Sequence, residues 1–150
     1  MGYKVKSEML NSWWLDTGKK DDILTANDII LDEYIKRDIR GNLDNTSKVT
    51  GRVDIDKDSK IVNSTIRGPV IIGKDVHIEN SFIGPYTSIG NNIKIFDSSI
   101  EHCVLLDNCQ IKGVERMEDS LIGKATKVSK MDDKCKALRL MIGDYSEVEI

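Results

Sequence analysis

The chain has 150 residues, 22 basic and 25 acidic side chains and a formal net charge of −3, a length that suits one domain with its own core. No Lys/Arg cluster offers the electrostatic footprint of a binder of nucleic acid or of anionic membranes. The apolar runs fall far short of the roughly 20 residues that span a bilayer, and "MGYKVKSEML" lacks the apolar core of a secretory signal, so a cytoplasmic protein is expected.

In chain order, the first segment is "WWLDTGKK", with Trp13, Trp14 and Asp16 just ahead of a helical pattern. From residue 21 to residue 37, Ile23, Ala26, Ile30, Leu31, Tyr34 and Ile35 form the stripe of an amphipathic helix, with acids in its first turn and bases in its last. Gly41 suits the left-handed position beyond such a helix. Past Gly51 the helical period disappears.

A repeat of 17 residues replaces it. "IDKDSKIVNSTIRGPVI", "IGKDVHIENSFIGPYTS" and "IGNNIKIFDSSIEHCVL" superimpose, starting at 55, 72 and 89. Ile55, Ile72, Ile89 and Leu106 share one column, Ile61, Ile78 and Ile95 a second, and Ile66, Ile83 and Ile100 a third. Strands alternate side chains in and out, so three aliphatic columns with steps of about six predict a three-sided coil. Ser59, Val70, Val76, Thr87, Ile93 and Thr126 fill the other inward positions with mostly small or β-branched groups. The five-residue steps coincide with "VNST", "ENSF", "FDSS" and "EDSL", where Asn or Asp tolerates the left-handed backbone of a tightened corner. The rhythm stumbles after Leu106, in "KGVERM", and resumes at residue 118. Regular coils are expected over 53–128, a loop over 129–141 that covers the open end, and a last matching strand over 142–150.

Hexapeptide repeats of this kind resemble the left-handed parallel β-helix, and the handedness is taken from that resemblance. The fold expected is mainly β: a left-handed parallel β-helix over 49–150, preceded by the amphipathic helix. The motifs "WWLDTG", "RGPVIIG" and "ENSFIGPYTSIG", together with the ending "KALRLMIGDYSEVEI", resemble the C-terminal part of the long form of glucose-1-phosphate thymidylyltransferase, a sugar-1-phosphate nucleotidylyltransferase. The resemblance implies that residues 1–48 are the end of a catalytic domain with the helix and a linker. It also implies that Asp16 helps to hold Mg²⁺ in a complete enzyme, where a hard cation takes oxygen ligands. The family's Gly-rich nucleotide loop and the partner acid are missing from these residues. The chain is therefore expected to be a C-terminal fragment, with its nucleotidyltransferase domain upstream or on another polypeptide. It would be inactive alone and hold no cofactor. Beside that role stands the plain reading of Asp16 as a solvated turn residue.

Two further readings come from proteins that resemble this fold. In one, a His acts as general base in an acetyl-CoA-dependent acyl transfer to a sugar or sugar nucleotide. His77 and His102 are the two histidines, their frame positions place them on different faces, and His102 is the candidate because it precedes the irregular side. Two histidines also fall short of a three-His metal centre. In the other, the prism is an assembly module that forms a homo-oligomer, with a trimer favoured. Phe82, Tyr86, Phe96 and Leu105 are then the outward or corner candidates for subunit contact. Cys103, Cys109 and Cys135 lack metal or disulfide spacing and read as ordinary thiols.

Overall fold

A computed structural model of the protein describes residues 20–130. One helix, α1 (Lys20–Tyr34), leads into a solenoid of parallel strands. The first coil holds β1 (Asp38–Ile39), β2 (Asn42–Leu43) and β3 (Lys48–Thr50). The second holds β4 (Val53–Ile55), β5 (Lys60–Val62) and β6 (Thr65–Arg67), and the third β7 (Val70–Ile72), β8 (His77–Glu79) and β9 (Phe82–Ile83). After β10 (Thr87–Ile89) and β11 (Lys94–Phe96), β12 (Ser99–Leu105) runs unbroken round a corner and opens the next coil. β13 (Gln110–Lys112), β14 (Met117–Ile122) and β15 (Lys127–Ser129) complete the described ladder.

The strands stack on three faces, each paired in parallel with its equivalent one coil away. Register proves the repeat: Ile55 pairs with Ile72 and Ile72 with Ile89. Ile61 stands under Ile78 and Ile78 under Ile95, while Ile66, Ile83 and Ile100 form the third column. All of these isoleucines are buried, and each contributes about 1.5–3 kcal/mol by leaving water. Ser59, Val70, Val76, Thr87 and Ile93 are buried at the second inward positions.

A strand must bend sharply three times per coil, and the corners show how. Asn63, Asn80 and Asp97 turn the second corner with φ of 43°, 49° and 49°. These are left-handed values that an Asx side chain tolerates. Within the prism a serine column runs beside this corner. Ser64, Ser81 and Ser98 each donate their hydroxyl to a carbonyl two residues back. Each also accepts an amide N–H from the coil above.

Several expectations need correction. The ladder begins at Asp38, within the stretch read as a linker, because β1–β3 already pair with β4–β6. The helix ends at Tyr34, before Lys36 and Arg37. Arg37 instead donates to the Val49 and Gly51 carbonyls of the first coil. Leu105, not Leu106, stands over Ile89. The corner at His102 is so tight that Leu105 follows Ile100 by a step of only five, and Leu106 is left 38% exposed. Leu105 is therefore core, 1% exposed, and not a subunit contact. Finally, the "EDSL" segment does not turn the same corner as "VNST", since Asp119 lies in the coil above His102. "KGVERM" proves to be in register, with Met117 over Ile100. Asp16, Trp13, Trp14, Cys135 and the expected 142–150 strand lie outside the described residues.

Candidate functional site

The third corner of the prism, where the chain passes from the third face to the first, gathers the chemistry. Its successive levels hold Gly51, the cis Gly68–Pro69 peptide, Tyr86, His102 and Asp119. Tyr86, His102 and Asp119 have φ of 58°, 50° and 50°, values uncommon for Tyr and His. α1 lies along this corner with Leu24 and Leu31 buried beneath it. Its C-terminal end sits near Arg52 and its middle near His102, so the helix runs against the direction in which the coils climb.

Polar ties fix the helix at three levels. Arg52 donates to the Asp32 carboxylate at 2.9 Å and to the Asp32 carbonyl at 2.5 Å. The Tyr86 hydroxyl lies 3.3 Å from both Asp32 oxygens, and that carboxylate lifts the phenol above its usual pKa. Asn27 donates to the Tyr86 carbonyl at 3.0 Å and accepts from the Ser88 hydroxyl at 2.5 Å. His102 spans the third level. Its Nδ1 is 2.5 Å from Asp119 Oδ1 and its Nε2 is 3.1 Å from Asp28 Oδ2. Burial of the ring disfavours its charge, but the hydrogen bond to Asp119 and the charge and hydrogen bond of Asp28 outweigh it, so the imidazole pKa is raised.

A ring with a carboxylate on each nitrogen satisfies both when it is doubly protonated. Such an imidazolium has no lone pair for a substrate proton, so the arrangement ties two elements together instead of presenting a base. His77 lies on the second face, away from this corner, edge-on to Phe96 with ring centroids 5.1 Å apart. Its Nε2 approaches Glu79 Oε2 at 3.3 Å without hydrogen-bond geometry. The two histidines thus occupy different parts of the prism, as their spacing requires.

Phe82 and Phe96 are half-buried and point outward from the third and second faces. Phe82 borders an open depression of about 460 Å³, rimmed by Asn63, Asn80, Asp97, Val114 and Glu115. Tyr86 is engaged by α1. Cys103 and Cys109 are buried thiols, and burial pushes Cys103 up to about 11. Among the described residues no group of three or more His, Cys, Asp or Glu is placed to hold a metal ion. None of their helices is long and apolar enough to cross a membrane.

Sequence reasoning named His102 and Tyr86 but missed Asp28, Asp32, Arg52 and Asp119. Asp119 was within reach, because it follows His102 by the 17-residue repeat. The α1 partners were not, because a helix lying across the coils has no period in common with them.

The likeness to known proteins covers helix and solenoid together. A family profile described as GMPPB C-terminal domain matches residues 66–136. A glucose-1-phosphate thymidylyltransferase of Streptomyces antibioticus is 38% identical over 149 residues, covering 99% of this chain and 42% of the relative. A protein of the same name from Streptomyces griseus is 34% identical over the same shares. The low-salt glycan biosynthesis nucleotidyltransferase Agl11 of Haloferax volcanii is 35% identical over 153 residues. The chain spans less than half the length of these relatives. With its β-solenoid and its sequence motifs in agreement, the chain is similar over nearly its whole length to the C-terminal part of sugar nucleotidyltransferases of the glucose-1-phosphate thymidylyltransferase type.

Proposed function

We propose that the chain serves as the β-helical module of a sugar-1-phosphate nucleotidylyltransferase in nucleotide-sugar biosynthesis, a cytoplasmic protein in which it supplies architecture and subunit association. The observation that carries this reading is the 38% identity over 149 residues, a span that takes in α1 and the solenoid alike. The helix is inherited with the prism it is tied to, which is the pattern of a structural unit. The outward aromatics Phe82 and Phe96 are the contacts proposed for a homo-oligomer, a trimer by preference. Nucleotidyl transfer, with Asp16 sharing a Mg²⁺, is assigned to the enzyme that also contains a nucleotidyltransferase domain. The described residues offer no such metal cluster. The acyl-transfer alternative finds no support at His102, because both ring nitrogens face carboxylates.

Light scattering on the isolated chain, paired with a pyrophosphate-release assay using thymidine triphosphate and glucose 1-phosphate, tests the proposal. An oligomeric mass that holds on dilution and an absence of pyrophosphate are expected. A strictly monomeric mass removes the assembly role, and pyrophosphate release by these 150 residues removes the non-catalytic one.

A further inference from the structure

We infer that α1 is held on the solenoid by a proton-operated clasp, closed while His102 is an imidazolium between Asp28 and Asp119 and opened when the ring loses its second proton. The ring joins two elements remote in sequence: Asp28 lies 74 residues before it, in the helix. Asp119 lies 17 residues after it, one coil above. Both are carboxylates, so the tie exists only while its middle member is positive. A neutral ring keeps one N–H and must leave one carboxylate facing a lone pair.

The groups around the ring point the same way. From α1 it meets Asp28, with Asp32 farther along the helix. β12 contributes Glu101, and β14 contributes Glu118 and Asp119. The corner below contributes Tyr86, whose ring meets the imidazole edge-on with centroids 6.4 Å apart. The nearby cations are committed elsewhere, Arg52 to Asp32 and Arg116 to Glu118. Among the described residues, no ion pair offers these carboxylates another positive charge in place of the imidazolium. Asp28 also carries a second oxygen, Oδ1, that is shielded from water and has no hydrogen-bond partner. Once its cation is lost, this carboxylate gains by moving out to solvent.

The direction of the switch follows from linkage. Docking raises the His102 pKa above the ordinary value of 6.5. Its contribution to docking is complete below that value and is lost as pH rises through the raised one. The seating of α1, and of the exposed Ile30 and Tyr34 it carries, thus answers to pH on the alkaline side of the ordinary histidine range.

Hydrogen exchange of the α1 amides in the 150-residue chain, corrected for intrinsic rates and run beside an NMR titration of the imidazoles, tests the clasp. Protection of α1 should fall about tenfold for each unit by which docking raises the pKa, with the midpoint of the His102 titration, while the solenoid strands stay protected. His102→Asn removes the charge but keeps a residue that accepts φ of 50°. It should leave α1 weakly protected at every pH. Protection of α1 that ignores pH, a midpoint apart from that of His102, or wild-type behaviour in His102→Asn would overturn the inference. If that variant does not fold, Asp28→Asn decides: a flattened profile supports the clasp and an unchanged one refutes it.

Discussion

The Ser81 hydroxyl sits between two coils: it accepts the backbone N–H of Ser98 at 3.1 Å and donates to the Glu79 carbonyl at 2.7 Å. Both serines are buried. Ser81→Ala strands the Ser98 amide without an acceptor away from water, which costs about 1–3 kcal/mol. Chemical denaturation should show this as a lower midpoint with an unchanged slope.

Adjacent leucines should respond in opposite ways. Leu105→Ala empties a site in the column above Ile89 and should cost about 2–5 kcal/mol. Leu106→Ser, at a residue 38% exposed, should stay within about 0.5 kcal/mol of wild type. Thermal melts of the two variants check the register directly.

Two glycines make a similar pair. A Cβ on Gly68 would lie 2.1 Å from the Arg52 carbonyl oxygen, against backbone that cannot give way, whereas one on Gly123 would meet the Thr126 hydroxyl at an ordinary 3.7 Å. Gly68→Ala should prevent or severely weaken folding, and Gly123→Ala should be tolerated. Soluble yield and circular dichroism distinguish the outcomes.

Burial sets thiol reactivity. Desolvation pushes Cys103 up to about 11 and Cys109 in the same direction, so little thiolate exists at neutral pH. Peptide mapping after iodoacetamide treatment should find both unlabelled in native protein and labelled in denaturant.

The first coil contains an acid-sensitive joint. Hydrogen bonds from the Ser47 and Thr46 hydroxyls, with the Asn63 and Ser47 amides, draw Asp44 down to about 2 from 3.8. A depressed pKa stabilises above the unfolded value and is lost as pH falls through the folded one. Asp44→Asn should therefore be less stable than wild type at neutral pH, with the gap closing between pH 3.8 and pH 2. Melts across that range measure it.

The prism was readable because its cause is periodic. Ile55, Ile72 and Ile89 recur every 17 residues and stand in one column. The slip at Leu106 marks the limit of that logic, since an aliphatic pair offers two registers and backbone geometry at His102 chooses between them. Ser64, Ser81 and Ser98 also recur at 17, yet an aliphatic count passes over them. The helix ties were illegible for a different reason. Asp28 and Asp32 meet His102 and Arg52 only after two elements dock, and docking leaves no rhythm in the chain.

The helix also acts as a splint, and a splint fixes the number of segments beneath it. Duplicating or deleting one 17-residue unit between Arg52 and His102 would preserve every ladder inside the prism. It would nonetheless slide one anchor by a rung, about 4.8 Å, away from Asp28 or Asp32. Evolution or design can lengthen this rod by whole units beyond Asp119, but under the helix its length is already counted.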